Sequence, residues 1–168
     1  MVDIAWGKRV SPKFKSKLIE IADGLGCDPS LLMAAMAFET AETFSPSIRN
    51  KFSGATGLIQ FMPKTAKGLG TTTDDLAQMT AEDQLDFVRK YLQPFKGKMK
   101  TLSDVYMSIL LPSAVGQPEA KVLFKQPSTA YTQNQGLDAN KDGQITKGEA
   151  AAKVQLKLTK GLDVANRG

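Results

Sequence analysis

The chain contains no histidine and a single cysteine, Cys27. Without a second cysteine there is no intramolecular disulfide. Without histidine there is no Cys/His zinc site, no Ser-His-Asp triad and no Cys-His dyad. Most acid–base chemistry near neutral pH uses histidine. Any catalysis here therefore falls to carboxylates, tyrosine, lysine or a hard metal ion. Cys27 has no histidine to activate it and reads as a small buried hydrophobe. Long apolar runs are missing too: Ile109-Leu110-Leu111 stops at Pro112, far short of a membrane span. The stretch from Met1 to Arg9 has no apolar core of the kind a secretory signal needs. The expectation is a protein with no membrane span and no signal peptide. Such a protein is made in the cytoplasm and delivered by something else if it acts outside.

What is present is ordinary for a folded chain. Its 168 residues are 42% hydrophobic and 23% charged, enough for one domain or one domain with a small appendage. The net charge of +5 favours anionic partners. The lysines are scattered rather than gathered into an arginine-rich patch with aromatics between them, which argues against nucleic acid.

The pattern is helical nearly throughout, so the fold class expected is mainly α. Ser11-Pro12 and Asp28-Pro29 each offer an N-cap followed by a proline at the first helical position. The second of these helices carries Leu31, Leu32, Ala35, Met36 and Phe38 with small residues between them. A helix apolar on nearly every side is a central one, and this one ends near Glu39–Glu42. Residues 45–57 are rich in Ser, Pro, Asn and Gly and predict a loop with a short β-turn or hairpin. Short helices over 63–67 and 73–78 follow, then a longer one capped at Thr80-Ala81-Glu82-Asp83, and another over 102–111. No strand alternation of any length is visible. Near Pro127 the composition shifts to Ser, Thr, Gln, Asn and Asp. This places a boundary between a helical domain, 1–126, and a small C-terminal segment, 127–168. A last helix runs over about 147–159, and the tail from Val164 to Gly168 is expected to fray.

"DANKDGQITKGE", Asp138 to Glu149, satisfies the calcium-loop pattern of an EF-hand. Asp138, Asn140 and Asp142 stand at the first, third and fifth positions, and Gly143 permits the sharp turn. Gln144 offers its backbone carbonyl, Thr146 acts directly or through water, and Glu149 chelates with both oxygens. Ile145 between them pins the loop to the body. The oxygen-rich set favours Ca²⁺ over Mg²⁺; the alternative is an acidic, solvated turn. Calcium sensors pair such loops, so a single one reads as a structural clip rather than a switch.

With histidine absent, Glu39 becomes the leading acid. A carboxyl at the end of an apolar helix is desolvated and holds its proton towards neutrality. A protonated carboxyl can donate to a glycosidic oxygen. By spacing alone Glu39 reads equally as a helix-end cap or the partner of a lysine, and Glu42 lies close behind it.

"FET", "TFSP" and "SGATGLIQFMPKTA" resemble the soluble lytic transglycosylase family, which has a goose-type lysozyme-like fold and cleaves bacterial peptidoglycan. The family pattern is Glu-Ser, an aromatic and Pro, and further on Gly-Leu-x-Gln-x-Met-Pro-x-Thr-Ala. Residues Gly57 to Ala66 match that second block fully, and the resemblance extends over roughly residues 15 to 120. It implies a lysozyme-like helical domain with Glu39 as single acid/base at the N-acetylmuramic acid–N-acetylglucosamine bond. It implies a 1,6-anhydromuramoyl product, closed by the sugar's own O6 hydroxyl, so that no second carboxylate is required. Thr40, in the place of the family's Ser, would orient the acid. Gly57, Leu58, Gln60 and Phe61 would line the sugar subsites, with Gly54 and Gly57 letting the backbone approach the sugar.

There are departures. Four residues separate Glu39 from Phe44 where the family has two, which keeps Glu42 open as the acid. The family's Ala-Tyr-Asn-Ala-Gly is replaced by the stretch from Leu111 to Gly116. Tyr106 is the substitute for its tyrosine, with core packing as its other reading. Three alternatives stand beside the lytic enzyme. One is a lysozyme-type hydrolase drawing a second carboxylate from Glu42, Asp74, Asp75 or Asp83. Another is a non-catalytic wall-binding module. The third is a calcium-binding structural component of a virion or secretion machine. The partners implied are peptidoglycan strands in the bacterial wall, reached as a phage product or through a delivering machine.

Overall fold

Side-chain caps and leading prolines set where the helices of this chain begin. The computed structural model describes residues 2–168. Ser11 caps α1 (Pro12–Leu25), its hydroxyl accepting from the Phe14 N–H at 3.0 Å, and Asp28 caps α2 (Pro29–Glu39). Proline occupies the first turn of both, where its missing N–H costs nothing. Short helices α3 (Pro63–Gly68) and α4 (Thr73–Gln78) lead to α5 (Ala81–Leu92), capped by Thr80, and α6 (Leu102–Leu110), capped by Thr101. Then come α7 (Thr129–Asn134) and α8 (Lys147–Leu162). At the start of α8, Thr146 and Glu149 form a reciprocal capping box.

Among the described residues the protein is therefore mainly helical, with one small addition. Strands β1 (Val122–Lys125) and β2 (Gln144–Thr146) pair antiparallel, Lys125 opposite Gln144 and Phe124 opposite Ile145. The sequence gives no warning of this pair. The strands are too short to show alternation, and a bulge between Val122 and Phe124 breaks the register of β1. Residues 45–61 form a loop with isolated bridges, Arg49–Thr56 and Thr56–Phe61, in line with the expected turn. No single helix among the described residues is long and apolar enough to cross a membrane. Helices α1 and α2 reach that length only as a pair bent by 117°.

Helix α2 is the centre of the core. Leu32, Met33, Ala34, Ala35, Met36 and Ala37 are all buried. Its alanines let α1, α6 and α8 approach closely. Helix α8 answers with Ala150, Ala151 and Val154, and with Gly161 against the indole of Trp6. A Cβ on Gly161 would stand 2.4 Å from the Trp6 ring. The same indole N–H donates to the Lys157 carbonyl at 2.9 Å. At the other end of α8, Lys147 is buried and donates to Asp104 of α6 at 2.6 Å and to the Gln117 carbonyl at 2.7 Å.

The residues on either side of 126/127 share one core. Ile145, Ala150 and Val154 belong to one apolar cluster with Ile4, Trp6 and Met33, because α8 lies on α2 rather than beside it. The tail does not fray. Gly168 and Ile4 exchange backbone hydrogen bonds, and the buried Asn166 takes a bond from Arg9 and gives one to the Lys160 carbonyl.

The Trp6–Gly161 contact predicts opposite signs for two similar changes. Gly161→Ala should lower the unfolding free energy by about 1–2 kcal/mol, the cost of overpacking less the helix preference of alanine. Gly24→Ala, in α1 with nothing within 4 Å of the added methyl, should be neutral or raise it by up to ~1 kcal/mol. Denaturant titration by far-UV circular dichroism and tryptophan fluorescence reads both, and the two probes should coincide.

Candidate functional site

Glu39 is the last residue of α2, and the burial of that helix decides its chemistry. Its carboxyl is half-buried and has no ion-pair or hydrogen-bond partner among the described residues. Desolvation alone pushes its pKa up to about 7. Tyr91 of α5 and Tyr106 of α6 lie within its field: burial raises both hydroxyls first, and the Glu39 charge raises them further. Tyr91 is anchored by a 2.5 Å bond from its hydroxyl to the Ser108 carbonyl. Tyr106 is buried, with its ring edge-on to Phe38 at 5.5 Å. Tyr106 thus fills the core, as its packing reading expects, and also walls the acid. A lone carboxyl that titrates near 7 can both give and take a proton at neutral pH.

The chain then turns sharply. Ala41, Glu42 and Phe44 all adopt left-handed backbone, with φ of 51°, 68° and 50°. Such conformations cost about 1 kcal/mol or more each for residues with a side chain. This turn absorbs the two extra residues between Glu39 and Phe44. Phe44 closes it, buried against Trp6 and Phe14 at 6.1 and 6.3 Å between ring centres. Glu42 is tied to α8, with Lys157 at 2.6 Å and Lys160 at 2.8 Å. Hydrogen bonds from the two lysines hold its carboxyl below the usual range, so it stays ionised. The two neighbouring glutamates thus have opposite chemistry: one is desolvated and unpaired, the other ionised and clamped.

The Thr40 hydroxyl makes its hydrogen bonds to backbone groups on either side of the acid. It is fully buried, donates to the Met36 carbonyl at 2.7 Å and accepts from the Phe44 N–H at 2.9 Å. It locks the turn. In the glycine–glutamine loop Gly57 and Leu58 are buried, and Phe61 is buried at the wall of a small slot. Gly57, at φ 86°, has no Cβ because Gln84 occupies that space; an added Cβ would stand 2.2 Å from its Oε1. Gly54, at φ 77°, faces Pro63 rather than open space. Gln60 keeps an accessible side chain, its amide N–H groups donating to the Ile48 and Gly57 carbonyls at 3.2 and 3.1 Å. Gln60, Phe61 and Tyr91 share a slot of about 50 Å³ with Ile59, Met62, Thr65 and Ile109. Glu39 does not line it, and a sugar ring does not fit it without opening.

Gln84 is the residue that sequence reasoning missed. Fully buried on α5, it accepts from the Leu58 N–H at 2.7 Å and donates to the Pro46 and Leu76 carbonyls at 3.0 and 2.9 Å. It buckles the loop to the helical body. The signal was available: a glutamine one and two turns ahead of Val88 and Leu92, on the apolar face of α5. The remaining acids sit elsewhere. Asp74 is exposed and pairs with Arg49 at 3.0 Å, while Asp75 and Asp83 are exposed first-turn residues of α4 and α5.

The loop of residues 138–149 gathers its acids at one point. Carboxylate oxygens of Asp138, Asp142 and Glu149 lie within 4.8 Å of one another. Asp138 Oδ2 accepts from the Tyr131 hydroxyl at 2.6 Å and the Gly143 N–H at 3.0 Å. Its Oδ1 is buried with no partner, an unsatisfied atom that a cation would satisfy. Asn140 is exposed, its Oδ1 accepting from the Asp142 N–H at 3.2 Å; Gln144 lies in β2, and Ile145 is fully buried as expected. The donor set is all oxygen, which suits calcium chemistry. Cys27, by contrast, is half-buried with its thiol pushed up to about 11, mainly by burial, and is inert at neutral pH.

No protein-family model matches the chain, and no curated protein sequence matches it.

The raised Glu39 carboxyl makes a stability prediction. Because its folded pKa of about 7 exceeds the ordinary glutamate value of 4.5, its favourable contribution is complete below about pH 4.5 and is lost as pH rises through 7. Glu39→Gln removes that dependence. The variant should match wild type near pH 4 and exceed it at pH 8 by up to about 3 kcal/mol, read from denaturant melts at both pH values.

Proposed function

We propose that this protein cleaves the glycan strands of peptidoglycan as a lytic transglycosylase on a lysozyme-like helical fold, with Glu39 as the only acid/base. The observation that carries this reading is the state of Glu39: unpaired, at the end of a buried helix, and raised to about 7 by desolvation with no carboxylate contributing to the shift. A hydrolase needs a second carboxylate about 5–10 Å from the first. Glu42, the nearest carboxylate in the chain, is held by Lys157 and Lys160.

The chemistry then follows in two proton transfers. Protonated Glu39 gives its proton to the bridging oxygen as the bond from C1 of the muramoyl sugar to that oxygen breaks. The resulting carboxylate takes the proton of the muramoyl O6 hydroxyl as O6 bonds to C1. The carboxyl ends as it began, and no water enters. Gln60, a polar residue of the loop with an accessible side chain at the slot beside Tyr91, is the sugar-contacting candidate. Phe61 lines that slot, and Leu58 packs in the core.

The loop of residues 138–149 is read as an EF-hand-like calcium site with Asp138, Asn140, Asp142, Gln144 and Glu149 as ligands. The orphaned Asp138 Oδ1 supports this reading. Glu149 also belongs to the capping box of α8, so bound Ca²⁺ would stiffen the start of that helix. The resemblance of the loop and acid motifs also carries the wall setting, with delivery by a virion or a secretion machine.

Purified protein should release soluble fragments from peptidoglycan, and Glu39→Gln should lower the rate by at least about 100-fold. The wild-type rate should fall as pH rises through about 7, where Glu39 loses the proton it must donate. Full activity in Glu39→Gln would overturn the assignment. Independently, millimolar Ca²⁺ should raise the melting temperature of wild type and leave that of Asp138→Ala unmoved. An unchanged wild-type melt would remove the metal from the account.

A further inference from the structure

We infer that Glu42 is a positioning residue for Glu39: its ion pairs with Lys157 and Lys160 hold the left-handed turn that fixes where α2 ends and its last carboxyl points. The inference rests on the catalytic reading of Glu39 but is carried by different observations. Three non-glycine residues within Ala41–Phe44 have positive φ. A turn of that kind persists only when its surroundings over-determine it. Here the constraints are visible. The Thr40 hydroxyl bridges the Met36 carbonyl to the Phe44 N–H, Phe44 is buried against Trp6, and the Glu42 N–H donates to the Ala37 carbonyl at 2.7 Å. The one constraint that reaches across to α8 is ionic. Lys157 gives one bond to Glu42 at 2.6 Å, and Lys160 gives two at 2.8 Å.

Both lysines are themselves placed. The Lys157 carbonyl receives the Trp6 indole N–H, and the Lys160 ammonium stands 5.8 Å from the centre of the Trp6 ring. The clamp does not act on Glu39 by charge, since burial alone accounts for that carboxyl's shift. Its effect therefore runs through the backbone of residues 39–42. The groups that face Glu39 from other elements are Tyr91 of α5 and Tyr106 of α6, and both hydroxyls stay protonated across neutral pH. Without the clamp the turn is free to relax towards ordinary φ values, water reaches the end of α2, and the acid loses both its aim and its desolvation.

The test is a set of variants read by kinetics and by ¹³C NMR titration of the Glu39 carboxyl. Glu42→Gln should lower kcat by about tenfold or more with KM within about twofold. The Glu39 titration should move down from about 7. Lys157→Met/Lys160→Met should give the same fall, and the triple variant no further one, since the three act as a unit. Lys157→Arg/Lys160→Arg keeps the charges and should behave as wild type. Lys160→Met alone, at the exposed end of the clamp, should give a smaller change in the same direction and guards against loss of fold. Unchanged kcat and an unchanged Glu39 titration in folded Glu42→Gln would overturn the inference. So would loss of activity to the Glu39→Gln level in Glu42→Gln with full activity in the lysine pair variant, because Glu42 would then take part in the chemistry. A wild type that cleaves nothing defeats the enzymatic reading alone. The NMR titration still decides whether Glu42 positions Glu39.

Discussion

The seating of α8 on α2 is the contact on which the other features depend. It buries the apolar helix that carries Glu39. It brings Lys157 and Lys160 to the turn behind that residue, and it anchors the loop of residues 138–149 through the buried Lys147–Asp104 pair. Small residues on the facing helices make the close approach feasible: Ala34, Ala35 and Ala37 on α2, Ala150 and Gly161 on α8. A buried ion pair such as Lys147–Asp104 adds little net stability over an apolar pair. Losing one member is costly, about 3–5 kcal/mol, because a charge is left unpaired. That makes it a register pin for α8 more than a source of stability.

Two glutamates three residues apart show how position decides chemistry. Glu39 has the helix core on one side, two tyrosines near it and no cation, so it retains its proton to about pH 7. Glu42 has left the helix, faces two ammonium groups and is ionised. Environments that push neighbouring acids apart in this way divide their roles between proton transfer and electrostatic support. The loop of residues 138–149 and Glu39 belong to the same folding unit, because the helix that starts at Lys147 ends beside Trp6, within reach of the turn after Glu39.

Much of the frame was legible in the sequence. Serine and aspartate caps with proline behind them, and the threonine cap of α5, placed the starts of those helices to within a residue. The uninterrupted apolar face of 29–39 marked the central helix. Constraints made by tertiary contact were not legible. The β1–β2 pair has too few residues to show a period. The tail looked free because its partners, Ile4, Lys8 and Arg9, lie at the other end of the chain. At the site, Glu39 stands where the sequence placed it. Gly57 of the matched loop faces Gln84, and Leu58 faces the core. A motif records which residues are needed, and only the fold tells which of them touch a ligand and which hold the others in place.

The central claim is that one carboxyl, Glu39, performs both proton transfers with no second carboxylate and no attacking water. Mass spectrometry of the muramoyl ends released from purified peptidoglycan tests it most directly. The account predicts ends lighter than hydrolysed ones by one water, about 18 Da, with none formed by Glu39→Gln. Hydrated ends, carrying solvent oxygen when the digestion is run in ¹⁸O-labelled water, would contradict it.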